Sequence, residues 1–125
     1  MILDDIKNAL ESLAADPDAP FSGGVYYGMC TAQTLEEWNY FVFNRAPIHT
    51  DSNSRYTETF QVHVVHEDYI AEDYVYTVIE ALKKAVPGLS LNGDLEYNYT
   101  VKGDTQLVVE IATIPFKKAR KVNVG

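Results

Sequence analysis

The chain has 125 residues, 46% of them apolar, and a formal net charge of −8. That size and composition fit one globular domain with a true core and argue against disorder. The acidic balance argues against general nucleic-acid binding, which needs clustered Lys and Arg, and a single cysteine, Cys30, excludes an internal disulfide. No apolar run approaches the roughly 20 residues of a membrane span. The first residues carry Asp4, Asp5 and Glu11 rather than the basic start and apolar run of a secretory signal. A cytoplasmic protein, or one assembled in a cytoplasm, is therefore expected.

In chain order, Leu3, Ile6, Leu10 and Leu13 recur at three- and four-residue spacing and predict a first helix with Asp4 and Asp5 in its first turn. Asp16-Pro17 ends it, and residues 20–24 form a loop. Val25 to Cys30 reads as a short strand, and Thr34 to Asn44 contains a second. Arg55 to His66 alternates cleanly, with Tyr56, Phe60, Val62 and Val64 on one face, and is a third. A second helix is predicted from about Tyr69 to Val86, with Asp68 as N-cap and Pro87-Gly88 as its stop. A hairpin closes the chain: a strand over Leu95 to Val101, the turn Lys102-Gly103-Asp104-Thr105, and a strand from about Gln106 to Phe116. The stripe Tyr97, Tyr99 reads as core. The expected fold is α+β, a mostly antiparallel five-stranded sheet with two helices packed mainly on one face, in the order αβββαββ. Residues 1–125 form a single domain, with a short basic tail from about 117.

Three features point to surfaces. The second and fifth strands carry apolar residues on both faces, including Phe41 and Phe43. Helices on one face leave the other to be covered by a folded-back loop or by another copy of the chain. The stretch Asn44 to Ser54 is polar apart from Ala46, Pro47 and Ile48. It reads as a long loop whose Arg45, Ile48 and His49, together with the adjoining Arg55, are contact residues. Residues 1–116 hold six basic and eighteen acidic residues, whereas Lys117, Lys118, Arg120 and Lys121 crowd the last nine positions. Such a tail either docks on an acidic surface or frays in solvent.

No catalytic constellation emerges. His63 and His66 are three apart on a strand and point to opposite faces, and His49 lies in the polar stretch. Cys30 reads as a buried small apolar residue. Gly23-Gly24 lacks the following helix N-terminus that holds a phosphate. Glu58 is a catalytic acid only with a partner in reach. No cofactor or metal site is expected, and the chain reads as a non-enzyme.

The layout resembles the tail-terminator and tail-completion proteins of long-tailed bacteriophages. The stretches that carry the likeness are Asn44-Arg45 through Arg55-Tyr56, Phe60-Gln61-Val62-His63-Val64-Val65, and Ile111 to Lys118. The resemblance implies a sheet flanked by helices, six copies of which close into a ring that caps the tail tube and forms the joint to the head. It implies as partners the chain itself, tail-tube protein and head–tail connector proteins, with DNA only in passage, and a place in the virion tail. It leaves two alternatives: a head–tail connector (neck) protein, or a small α+β ligand-binding module or enzyme built on Glu58, His63 or His66.

Overall fold

The computed structural model describes residues 1–17, 21, 23–32, 36–50 and 55–121, with the backbone alone described at His49, Thr50, Arg55, Arg120 and Lys121. The order is α1 (Ile2–Ala14), β1 (Val25–Tyr27), β2 (Tyr40–Thr50), β3 (Arg55–Glu67), α2 (Tyr74–Ala85), β4 (Ser90–Leu91), β5 (Glu96–Val101) and β6 (Val108–Lys121). The class is α+β, with two helices and one sheet of six strands. Four of its five strand pairings are antiparallel, as expected, but the sheet is mixed and six-stranded, because β1 pairs parallel to β2 and Ser90–Leu91 adds a strand. The strand order is β1-β2-β3-β6-β4, and β5 also pairs with β6. Among the described residues, no helix is long and apolar enough to cross a membrane.

Both helices pack on one sheet face. Ile2, Ile6 and Leu10 of α1 and Val75, Val78, Ile79 and Leu82 of α2 are buried against Phe41, Phe43, Phe60, Val62, Val64, Ala112, Ile114 and Phe116. The register stacks these side chains in rows across the sheet, Phe43–Val62–Ile114 and Phe41–Val64–Ala112. Phe41 and Phe43 therefore belong to the core, at 0% and 4% exposure, and are not accessible to a partner. The alternation was legible in the sequence; which side the helices would take was not.

The opposite face answers the question left open above. Val42, Val65 and Val109 are buried there, outside the helix-side core. A parallel β1–β2 pair needs a crossover, and the described residues of that connection meet this face. Cys30 sits beside Tyr26 and Tyr40, and the Trp38 N–H donates to Glu67 Oε1 at 2.8 Å. The described part of a folded-back connection meets this part of the sheet. Just before β1, Gly23 lies tight against the end of the crossover: its N–H bonds the Asn39 carbonyl at 3.0 Å, and a Cβ at Gly23 would lie 2.9 Å from that oxygen.

Three boundaries differ from expectation. Helix α2 starts at Tyr74, because Asp68 takes a left-handed φ of 63° and residues 68–70 are strapped to β6. The Asp68 N–H bonds the Val108 carbonyl at 2.8 Å, and the Ile70 N–H bonds Glu110 Oε1 at 3.0 Å. The polar stretch after Asn44 is strand as far as Thr50. Pro47 sits at a register shift between Ala46 and His49, the kind of bulge that accommodates a proline, and its carbonyl accepts the Thr59 hydroxyl. Finally, the basic tail is strand: β6 runs to Lys121 because the first half of β3 pairs with it residue for residue, Arg55 with Lys121 through Phe60 with Phe116.

Candidate functional site

The pairing joins two stretches that look unrelated in the sequence. Ala46–Thr50 of β2, Arg55–Thr59 of β3 and Lys117–Lys121 of β6 form one three-stranded extension of the sheet. Of the ten residues expected at an interface, eight lie on or at the root of this arm: Arg45, Ile48, His49, Arg55, Lys117, Lys118, Arg120 and Lys121. Six of the chain's ten Lys and Arg residues are among them. The side chains of His49, Arg55, Arg120 and Lys121 lie outside the described residues; their strand positions do not. Residues 51–54, which complete the stretch expected to be a loop, also lie outside them.

The described side chains of the arm divide by role. Arg45 and Lys117 are exposed, and Ile48 is 58% exposed although it is aliphatic. Around the bulge, Arg45, Ala46, Ile48, Glu58, Thr59 and Phe60 line a groove of about 260 Å³. Lys118 is different, because its Nζ donates to the Pro87 carbonyl at 2.7 Å. Its ammonium satisfies a backbone oxygen just past α2 and is spent within the chain rather than presented to a partner.

At the other end of β6 lies a second surface. Tyr97 and Tyr99, expected in the core, are 47% and 62% exposed. They project from the helix-side face of β5, opposite Ala112 and Glu110, but the strand lies at the rim and is exposed along its length. With Tyr69, Ile70, Ala71, Glu72, Val75 and Glu110 they line an open groove of about 440 Å³. The Tyr99 hydroxyl bonds Glu110, which raises the tyrosine's pKa, first through that hydrogen bond. Tyrosine suits such a place, with an apolar ring and a polar tip. The signal available in the sequence was the choice of Tyr over Phe or Leu on an alternating strand.

The groups considered for chemistry do not converge. Glu58 pairs in register with Lys118 on the arm, His63 lies mid-sheet on the face away from the helices, and His66 packs edge-on against Phe21 on the helix side, ring centroids 5.5 Å apart. His63 is held in a polar row. Its Nε2 lies 2.9 Å from Asn44 Oδ1 and its Nδ1 2.9 Å from Thr113 Oγ1, while Asn44 Nδ2 donates to Gln61 Oε1 at 3.1 Å. An amide oxygen can only accept, so Nε2 carries the proton and Nδ1 accepts from the threonine hydroxyl. Burial lowers the pKa of this histidine, which favours the neutral ring.

Elsewhere the polar contacts fasten elements together. Glu67 takes Lys102 Nζ at 2.5 Å as well as the Trp38 N–H, and Lys102 also donates to the Glu36 carbonyl, so the β5–β6 turn is tied to the crossover. The hydrogen bond from Lys102 is the largest cause holding the Glu67 carboxyl below its ordinary value. Tyr74 stacks on Phe21 at 4.9 Å, and its hydroxyl is buried without a hydrogen-bond partner among the described residues. Burial, with Asp16 adding a smaller effect, pushes its pKa up to about 12. Among the described residues, no group of three His, Cys, Asp or Glu side chains is placed to hold a metal ion.

No family model matches the chain, and no curated protein matches it. Among the solved structures that match, one aligns over 92% of this chain and 94% of its own length, at 17% identity and a TM-score of 0.41. A likeness of that size carries no argument for this chain.

Proposed function

We propose that the chain is a structural protein of the phage tail-terminator type, which joins copies of itself into a ring capping a tail tube and meeting the head. The observation that carries this reading is the separation of charge along one continuous sheet. Six of ten basic residues sit on a projecting arm, and an acidic body carries nearly all the carboxylates. Unlike charges at opposite ends of one subunit favour head-to-tail contacts, the kind that close into rings. An acidic body also suits a conduit for DNA, because carboxylates repel passing phosphates. The alternative of a ligand-binding module or enzyme needed Glu58, His63 or His66 to converge, and these side chains diverge.

Light scattering and electron microscopy of the purified protein, alone and with tail-tube protein, test the proposal. Rings, or stoichiometric capping of tubes, are the expected outcome. A strict monomer that never associates with tail tube overturns it.

A further inference from the structure

We propose that the arm of one copy docks in the tyrosine-lined groove between β5 and the start of α2 of the next copy. This assignment rests on the ring-forming reading above and names the two surfaces that would meet. Three observations converge on it.

The first is chemical complementarity. The groove presents the rings of Tyr69, Tyr97 and Tyr99 beside the carboxylates of Glu72 and Glu110. The arm presents an exposed aliphatic side chain, Ile48, beside the exposed Arg45, and a second exposed cation, Lys117. Arg45 lies in the row of Phe60 and Phe116, on the helix-side face, and Lys117 in the next row, with Thr59 and Ala46, on the opposite face, so an inserted arm carries a cation on each side. Tyrosine faces accept an aliphatic group or a guanidinium, and a carboxylate accepts the guanidinium's planar fork.

The second is that a chain cannot satisfy its own groove. Glu110 and Lys121 lie on the same strand, eleven positions apart, with an unbroken register against β3 from Val109 to Lys121. At about 3.3 Å per residue the arm tip stands about 35 Å from the groove. A paired strand does not fold back on itself, so the occupant must come from another molecule.

The third is symmetry. Two different patches at opposite ends of a subunit make a heterologous contact, and repetition of such a contact gives a closed ring or an open filament rather than a two-fold dimer.

The full-length chain allows a charge-exchange test. Glu72→Lys alters the groove, and Arg45→Glu with Lys117→Glu alters the arm. All three residues are exposed, so thermal melts should match the wild type. Sedimentation equilibrium should show self-association of the wild type weakened at least about tenfold in each variant, since like charges now meet. An equimolar mixture of the two variants should form a mixed complex, because the reversed arm fits the reversed groove. Carbodiimide cross-linking of mixed isotopically labelled and unlabelled wild type should join the Lys117 peptide of one copy to the Glu72 peptide of another. Association that persists in both variants, as pairing of free β5 edges would give, overturns the arm-in-groove contact and leaves the ring proposal standing. Absence of association at any concentration, with or without tail-tube protein, overturns both.

Discussion

The body and the arm are made of the same three long strands, yet they are held together by different physics. In the body, β2, β3 and β6 bury Phe41, Val62 and Phe116 under two helices. On the arm the same strands continue, and what holds them is the hydrogen-bond ladder, with ties such as the Thr59 hydroxyl to the Pro47 carbonyl. Burial makes the body intolerant of change. The arm is constrained mainly in backbone register, so its side chains are available for recognition. A strand can thus be structural in one half and a contact surface in the other.

The largest expected effect is at the seam of that comparison. Phe116→Ala removes a fully buried ring from the row that faces Phe60, and a loss of about 3–5 kcal/mol in chemical denaturation is expected. A loss below about 1 kcal/mol would mean that the helices do not clamp this end of the sheet. Next is Glu67→Gln, which weakens the tie among Lys102, the Trp38 N–H and the crossover, at a cost of about 1–2 kcal/mol. The folded-state pKa of Glu67 is below 4.5. Its contribution is therefore present above pH 4.5 and is lost as pH falls through the lowered value. Wild type and variant should converge in acid, and parallel curves would show that the pair does not form.

His63 gives a milder dependence in a higher window. Its folded pKa is below 6.5, so stability is full above that value and declines as pH drops from it, because the unfolded chain takes up the proton more readily. His63→Gln should flatten the decline between neutral pH and the Glu67 window; an unchanged slope would place the titrating group elsewhere. Tyr74→Phe removes a buried hydroxyl without a partner among the described residues, and stability should hold or rise by up to about 1 kcal/mol. The smallest effect is on the arm. Ile48→Ser should leave stability within about 0.5 kcal/mol, because the side chain already faces solvent, while weakening self-association measured by sedimentation. A large loss of stability would show that the arm has a core of its own.

Much of the body could be read directly. The three- and four-residue spacing of Ile6, Leu10, Val75, Val78 and Leu82 reports the buried stripes of α1 and α2, and the alternation through Phe60, Val62 and Val64 reports the covered face of β3. These signals exist because burial imposes a period on apolar residues. The arm imposes none. Pro47 and the polar residues around it look like a loop, and Lys117 to Lys121 look like a tail, because an uncovered strand has no apolar face to display. Tyr97 and Tyr99 misled for the converse reason: they alternate as core residues do, but β5 lies at the rim of the sheet and is exposed along its length.

Composition and periodicity, taken alone, determined an acidic α+β domain, its two helices, its principal strands and its lone cysteine. They also marked Arg45, Ile48 and the basic cluster for attention, each in isolation. Only the tertiary structure decided that these belong to one three-stranded extension of the sheet. Strand order is a property of pairing between segments far apart in the chain, and no local pattern encodes which edge of β3 receives β6. That pairing turns a loop and a tail into an arm, and sets it at the far end of β6 from the tyrosine groove.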